Sequence, residues 1–321
     1  MAPIATIEHF RVLPRWLFVK ITDSEGRVGW GEATLEGHTE AIEGTLKGYA
    51  NRFIGLEADD IEEIWQQAWR KSFYRGGPVF MSALSGIDIA LWDLKARKLG
   101  VPIWQLLGGK VRERVAVYAW IGGDRPSDIE SAAKGRLAQG FKAIKMNATE
   151  DIGWLDSPST LQASVERLKS VKALAAGTSN ASSKTTASTS SSRTSRTIGG
   201  ISEMRRIAAM AEAYDVALAP HCPLGPIALA ACLQIGICTP NHQIQEMSLG
   251  MHYNVLAGEY DINSYITNPE VFDVKDGFVE KLTGPGLGIE INEELVRKVA
   301  ETTEPWPLMG FVGKDGAYRE W

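Results

Sequence analysis

The sequence predicts a small α+β domain followed by the parallel strand–helix units of a (β/α) barrel that is not complete. Three observations support this prediction. β-rich runs fill residues 4–34, strands alternate with helices after Val115, and the chain ends too soon to close a barrel. Such a barrel takes about 250 residues, and the stretch from Val115 to Trp321 is shorter than that.

The composition is typical of a soluble enzyme or binding protein. The chain has 321 residues, 44% hydrophobic and 23% charged, with a formal net charge of −5. This length allows one large domain or two, and the charge attracts neither nucleic acid nor an anionic membrane. Three cysteines are too few for a disulfide framework and favour a reducing compartment. No apolar run approaches the roughly 18 residues of a membrane span, so we expect a cytoplasmic protein.

The first domain is predicted to contain a β-hairpin and a long helix. Residues 16–21 and 28–32 are rich in β-formers and flank a turn signal at 23–26. Apolar residues then recur three and four positions apart, the spacing of a helix packed on a core: Leu84, Ile87, Leu91 and Leu94. Gly100 and Pro102 end this helix.

The second part of the chain alternates between strands and helices, which indicates parallel βαβ units. Strands are predicted at 115–121, 141–146, 216–219 and 242–246, and helices at 126–139, 159–174, 201–214 and 226–234. These are half of the strands that a complete eight-stranded barrel contains.

Two runs link the domains and resemble a known signature. Ser85–Arg97 reads SGIDIALWDLKAR, and Pro102–Gly109 reads PIWQLLGG. They resemble the signature of the mandelate racemase and muconate lactonising branch of the enolase superfamily, where this helix joins a cap to a barrel. The resemblance therefore implies structural roles for the Asp and Trp residues of the run.

Shorter motifs resemble one family within that branch, the galactonate dehydratases. They are Arg15-Trp16, FYRGGP at Phe73–Pro78, WIGGDRP at Trp120–Pro126 and APHCPLGPIALA at Ala219–Ala230. The resemblance covers residues 1 to about 173 and 199 to 321. Only the stretch between them departs from the family pattern.

The resemblance implies an α+β cap domain with a (β/α)7β TIM-like barrel. Mg²⁺ is expected for the family, where it holds a sugar-acid carboxylate while a base removes the α-proton and an acid expels the β-hydroxyl. We predict the cap at 1–112, the first barrel units at 113–174, an aberrant segment at 175–198, and the last barrel units with the return to the cap at 199–321.

Two residues match catalytic positions of the family. His221 follows a predicted strand, at the end where barrel enzymes carry their chemistry, and the resemblance makes it the proton donor. An imidazole suits that role because its ordinary pKa lies near neutral pH. Glu246 ends the last strand and matches a glutamate that contacts substrate. The alternatives are a hydrogen-bonded structural histidine and a solvated or capping glutamate.

Five further residues are candidates for substrate binding, namely Arg15, Trp16, Tyr74, Arg75 and Asn147. The first four belong to cap loops that would close over the barrel mouth, where arginine is apt for carboxylates and hydroxyls. The alternative for them is ordinary surface packing. Asn147 stands where racemases of the superfamily carry a basic lysine, and an amide cannot accept that proton, so it is either a substrate contact or a buried structural amide.

The segment between the two matched parts lacks the chemistry of the family. Thr178–Thr197 holds eight Ser and six Thr among twenty residues, and it has no Asp, Glu, His or aromatic residue. The family carries three carboxylate Mg²⁺ ligands and the base in this part of the chain, so we assign no metal ligand. By itself the composition is typical of a disordered stretch, and a phosphorylated linker is the functional alternative.

A shift of the reading frame explains the composition. When each codon takes the third base of the codon before it, Ser188–Thr197 can encode Val-Asp-Val-Leu-Gln-Pro-Asp-Ile-Ala-His, which resembles the sixth barrel strand of the family. Thr194 then stands at the aspartate that orients the acid histidine. We hypothesise a deletion or mis-spliced junction near Ala175 that removed about three strand–helix units and scrambled a fourth, up to about Ile198.

The sequence therefore predicts a sugar-acid dehydratase by lineage, a hydro-lyase that converts D-galactonate to 2-keto-3-deoxy-galactonate. Because the Mg²⁺ ligands and the base are absent, we expect this chain to be inactive as it stands. A non-catalytic sugar-acid-binding pseudoenzyme and a related aldonate dehydratase are the alternatives. The expected partner is a small sugar acid, with no nucleic acid and no membrane, and the resemblance implies a homo-oligomer.

Overall fold

The computed structural model describes most of the chain. The described residues are 2–71, 73–121, 129–146, 158–176, 199–251, 254, 260–307, 310–313 and 315–319. A three-stranded antiparallel sheet and a parallel sheet lie in separate parts of the molecule, with helices packed on both. Among the helices described, none has the length and apolar character needed to cross a membrane.

The N-terminal part is an α+β cap whose strands are consecutive and antiparallel, in the order β1-β2-β3. Its strands are β1 Ile4–Val12, β2 Trp16–Asp23 and β3 Val28–Glu32, and its helices are α1 Thr39–Phe53, α2 Ile61–Arg70 and α3 Pro78–Leu99. The predicted hairpin is confirmed, and Asp23 closes its turn by accepting hydrogen bonds from the amides of Glu25 and Arg27. Gly26 adopts φ +79° there, a region that favours glycine.

The long helix α3 lies directly on β3 because glycines allow a close approach. A Cβ added to Gly31 would overlap the carbonyl oxygen of Gly86, and one added to Gly29 would overlap that of Ala90. Most of α3 is buried on all sides. It ends at Gly100, which takes a left-handed conformation with φ 70°, as the sequence predicts.

The remaining elements follow in the predicted alternation of strands and helices. They are α4 Ile103–Leu106, β4 Arg114–Trp120, α5 Ile129–Ala138, β5 Ile144–Lys145, α6 Pro158–Ala176, α7 Gly200–Glu212, α8 Pro226–Cys238, β6 Gln245–Met247, a 3₁₀ turn Pro269–Phe272, β7 Phe278–Glu280, α9 Glu293–Ala300, β8 Phe311–Val312 and β9 Tyr318–Arg319. The predicted strand at 216–219 contributes one parallel bridge, between Leu218 and His242. The predicted strand at 141–146 shortens to β5.

The parallel strands form an open arc. β4 lies between β5 and β6, with parallel pairing on both sides, and β7 adds an antiparallel partner to the first half of β4. The bridge at Leu218 continues the arc beyond the segment that leads into β6. In the described ranges this arc has two open ends, at β5 and at Leu218, and the fold is an α+β cap with an incomplete barrel.

The cap forms hydrogen bonds with the residues just after the Ser/Thr-rich segment Thr178–Thr197. The amide of Gly199 donates to Ser85 Oγ, and Trp65 Nε1 donates to the carbonyl oxygen of Gly199. One turn later Ser202 Oγ donates to Asp88 Oδ1 at 2.5 Å. Ser202 Oγ also accepts a hydrogen bond from Trp92 Nε1. In the described structure Asp88 and Trp92 thus have the structural roles that the resemblance implies.

Candidate functional site

The candidate site lies at the carboxyl ends of the parallel strands, where the sheet register places polar side chains together. Tyr118 of β4 is the register partner of Glu246 of β6, and Trp120 is the partner of Lys145 of β5. Tyr118 and Trp120 are two positions apart, so they project from the same face of the sheet. The pleat therefore brings side chains from three strands to one face.

The carboxylate of Glu246 is the centre of this cluster. Its side chain is fully buried, and Oε1 accepts a 3.0 Å hydrogen bond from Lys145 Nζ. Oε2 accepts a 3.0 Å hydrogen bond from the amide of Cys222 and lies 3.4 Å from His221 Nε2. The hydroxyl of Tyr118 also hydrogen-bonds to this side chain. A buried carboxylate is tolerated because a cation and several donors compensate its desolvation.

His221 is held beside β6 by the backbone on both of its sides. The amide of Gln243 donates to the carbonyl oxygen of Leu218, and that of Glu246 donates to Pro220. The amide of Cys222, which follows His221, donates to the Glu246 carboxylate. The His221 side chain keeps 29% of its surface exposed. The imidazole therefore lies between a buried anion and solvent, a position suited to proton exchange with a ligand.

Two other titratable groups at the cluster remain neutral. Burial and the nearby carboxylate of Glu246 raise the pKa of the Tyr118 phenol well above its ordinary value. The hydrogen bond with Cys232, together with burial, raises the pKa of the Cys222 thiol. Near neutral pH the phenol and the thiol are thus uncharged, and the charges of the cluster are carried by Lys145, Glu246 and, when protonated, the imidazole.

The cap contributes Arg15 to the same region. Its guanidinium donates to Glu36 Oε1 at 2.6 Å and to the carbonyl oxygen of Pro223 at 2.8 Å, two residues after His221. The side chain of Arg15 is only 6% exposed, because it bridges the cap and the loop. Trp16 is buried in the core, where it stacks on Phe18 at 6.1 Å between ring centroids.

Tyr74 and Arg75 occupy a different environment in the cap. Together with Tyr49, Arg52 and Trp69 they line a small cavity of about 100 Å³ between the cap helices and the loop before α3. The ring of Tyr74 is 79% exposed. The last candidate, Asn147, lies outside the described residues, so its predicted role stays a prediction.

The sequence did not identify Lys145 or Tyr118 as site residues. Lys145 does carry a sequence signal, because it lies two residues before Asn147, the position where racemases of the superfamily carry a basic lysine. Tyr118 gave no signal, because a tyrosine in an apolar strand is typical of core packing. Its role depends on the register with Glu246.

The described side chains do not form a Mg²⁺ site. Across the described ranges, no group of three or more His, Cys, Asp or Glu side chains is arranged to hold a metal ion. Both oxygens of Glu246 already bind Lys145, His221 and the Cys222 amide. Mg²⁺ prefers several oxygen ligands in near-octahedral geometry, and this cluster offers one carboxylate.

Comparisons with known proteins match both parts of the fold. The family described as mandelate racemase / muconate lactonizing enzyme, N-terminal domain, matches residues 1–108, and the one described as enolase C-terminal domain-like matches residues 194–295. The D-galactonate dehydratase of Verminephrobacter eiseniae is 37% identical in a match that covers 99% of this chain and 100% of that protein. The chain belongs to the enolase superfamily.

Other members of the superfamily agree with this assignment. The D-galactonate dehydratase of Pectobacterium atrosepticum is also 37% identical, with coverage of 99% of this chain and 100% of that protein. Both matches extend over 383 residues, while the present chain has 321 residues. By descent it is a hydro-lyase, and its barrel is shortened relative to these relatives.

Solved structures of the superfamily share the fold. A mandelate racemase/muconate lactonizing enzyme from Sulfitobacter sp. gives a TM-score of 0.77 at 23% identity, covering 96% of this chain and 98% of that one. An enolase from Pantoea ananatis with bound D-gluconate and Mg gives a TM-score of 0.74 at 22% identity, covering 96% of each chain. At these identities the likeness concerns the fold alone.

Proposed function

We propose that this chain descends from a D-galactonate dehydratase and retains the proton-donor half of its site without completing the reaction. The ancestral reaction converts D-galactonate to 2-keto-3-deoxy-galactonate by removal of the α-proton and loss of the β-hydroxyl as water. The observation that supports this proposal is the pair of His221 and Glu246, 3.4 Å apart at the strand ends, in a chain that is 37% identical to two D-galactonate dehydratases.

The other half of the reaction needs groups that this chain does not supply at the described site. A proton next to a carboxylate is a very weak acid, so an enediolate forms only where concentrated positive charge stabilises it. For that chemistry the resemblance implies Mg²⁺ held by three carboxylates, and Thr178–Thr197 contains no Asp, Glu or His. Lys145 alone is a weak substitute, because Glu246 already neutralises its charge at 3.0 Å.

A direct assay tests this proposal. The purified chain is incubated with D-galactonate and Mg²⁺, and the 2-keto-3-deoxy product is followed by proton NMR. The dehydratase from Pectobacterium atrosepticum serves as the positive control. We expect no product from this chain at any Mg²⁺ concentration. Turnover that depends on Mg²⁺ would overturn the proposed inactivity, and a panel of other sugar acids tests whether a related aldonate is the substrate instead.

A second candidate function is metal-free binding of a sugar acid. The observation that favours it is the partial exposure of Lys145, at 37%, and of His221, at 29%, on one face of the sheet. Both can donate hydrogen bonds to a ligand carboxylate. Calorimetric titration with D-galactonate in the presence of a chelator tests it. Heat of binding that persists without metal supports a pseudoenzyme, and no heat at millimolar ligand contradicts it.

A further inference from the structure

We propose that Lys145 is a positioning residue of this site, which holds one oxygen of Glu246 so that the other faces His221. Its role in presenting a proton donor rests on the proposed function above. The arrangement itself is supported by the described contacts, in which the two oxygens of the Glu246 carboxylate have different partners. Oε1 binds the ammonium of Lys145, and Oε2 faces the imidazole.

Lys145 is itself fixed on two sides. Its ammonium lies 3.0 Å from Glu246 Oε1 and 5.2 Å from the centre of the Trp120 ring. The ring belongs to β4, the strand paired with β5, and a cation over an indole face is attracted by the ring quadrupole. A long, flexible side chain is thereby held in one place. The anion that it binds is restricted in turn, because both of its oxygens have directional partners.

Removal of this cation would leave a fully buried carboxylate with no lysine partner. Among the described residues, the donors to Glu246 besides His221 are then the Tyr118 hydroxyl and the Cys222 amide, and neither carries a charge. A buried carboxylate without a cation is strongly disfavoured. The imidazole of His221 is the nearby group that can gain positive charge to replace the lysine. The ion pair therefore controls how strongly the site draws a proton onto His221.

Among the described residues, further charged groups beside the His221 loop belong to the cap. Glu32, at the end of β3, acts on the neighbouring Cys222 thiol, and Arg15 binds the Pro223 carbonyl oxygen. The guanidinium of Arg15 is paired with Glu36 at 2.6 Å, so its net effect at the imidazole is small. We expect substitutions in β5 to leave these cap contacts in place, so a change at Lys145 acts on His221 through Glu246.

The test is an NMR titration of the imidazole protons in the full-length chain, with His221→Gln used to assign the resonance. We expect Lys145→Met to raise the titration midpoint of His221 by about 0.5 to 1 pH unit, because the positive charge that shares the Glu246 carboxylate with the imidazole is removed. Glu246→Gln should lower the midpoint. Lys145→Arg should restore it to within about 0.2 pH unit, since it keeps the charge.

The matched control is Lys142→Met, which removes the same charge three residues earlier. Lys142 is 53% exposed and pairs with Asp276 at 3.9 Å, so its loss should leave the His221 midpoint unchanged. If Lys145→Met does not fold, Lys145→Gln gives the same neutralisation with a polar side chain. Equal midpoints in the wild type and the Lys145 neutral variants, or failure of Lys145→Arg to restore the value, would refute the proposal.

The titration separates this proposal from the proposed function. It uses neither substrate nor metal, so an unchanged midpoint would reject the role of Lys145 and leave the galactonate assay as it stands. Conversely, Mg²⁺-dependent turnover would overturn the proposed inactivity without altering the midpoint shifts expected here.

Discussion

Glu32 Oε1 accepts a 2.9 Å hydrogen bond from the amide of Gly225, so a carboxylate of the cap closes the first turn of α8 in the barrel. Its second oxygen accepts a 3.0 Å hydrogen bond from Ala228, and the hydroxyl of Thr34 donates to the first. The amides at a helix start lack partners within the helix and favour an anion. The cap thereby fixes the helix that follows the His221 loop.

We expect Glu32→Gln to destabilise the protein by about 2 to 4 kcal/mol, because the amide group of Gln turns a donor toward backbone donors in a buried site. Denaturant unfolding followed by circular dichroism measures the change. Glu294→Gln, at the exposed first turn of α9, is the matched control and should change stability by less than about 0.5 kcal/mol. Equal effects of the two variants would contradict this role of Glu32.

Asp88 should make stability fall as pH rises. Burial raises its pKa from the ordinary 3.8 to about 7. The folded state then holds a proton that the unfolded chain has released, so stabilisation is present below about pH 4 and is lost as pH rises toward 7, by at most about 4 kcal/mol. Asp88→Asn should flatten this dependence between about pH 4 and pH 7.

Denaturant unfolding at several pH values measures the Asp88 contribution as a difference from the wild type. Asp60→Asn, an exposed aspartate that begins α2 without a side-chain hydrogen bond, should leave the pH dependence as it is in the wild type. Parallel curves for the wild type and Asp88→Asn would show that the Asp88 carboxyl is not protonated in the folded protein.

His242 should stay neutral in mildly acidic solution. Burial, aided by the charge of Arg112, lowers its pKa from 6.5 to about 4. A group with a lowered pKa stabilises the fold above its unfolded value, and that stabilisation is lost as pH falls from about 6.5 to 4. We expect its imidazole resonance, assigned with His242→Gln, not to shift between pH 7.5 and 5.5. A midpoint near 6.5 would contradict the buried position.

The different surroundings of Gly31 and Gly48 predict opposite effects of substitution to alanine. Gly31→Ala should cost about 3 kcal/mol or more, because its Cβ would overlap the backbone of Gly86. Gly48→Ala, within α1 and with nothing within 4 Å of an added Cβ, should gain about 0.5 to 1 kcal/mol from helix propensity. Thermal unfolding compares them, and a small loss for Gly31→Ala would contradict the close approach.

The reading-frame hypothesis predicts a junction in the transcript. We expect sequencing of the messenger RNA around codon 175 to show a deletion or a splice site that shifts the frame, and a second change near codon 198 that restores it. The composition of Thr178–Thr197 is the physical reason, because fourteen of its twenty residues are Ser or Thr and too few apolar side chains remain to pack a barrel core. One uninterrupted frame encoding a stable 321-residue product would refute the hypothesis.

Local patterns predicted the elements whose neighbours are close in sequence. The hairpin of β2 and β3 and the helix α3 follow from alternation, spacing and the glycine at position 100. β3 has the predicted bounds, β2 is two residues longer, and α3 ends before Gly100 as predicted. The strands predicted at 141–146 and 216–219 shorten to two residues and one bridge. Apolar alternation reports a local preference, whereas a strand forms only where a partner supplies hydrogen bonds.

The sequence by itself determined the superfamily, the position of His221 and Glu246 at strand ends, and the lack of acidic residues in Thr178–Thr197, because motifs and composition are carried by the chain alone. The tertiary structure decided that Lys145 and Tyr118 join Glu246, and that Tyr74 and Arg75 line a cap cavity. Such contacts depend on strand register and on packing between residues far apart in sequence, and a one-dimensional pattern does not encode those distances.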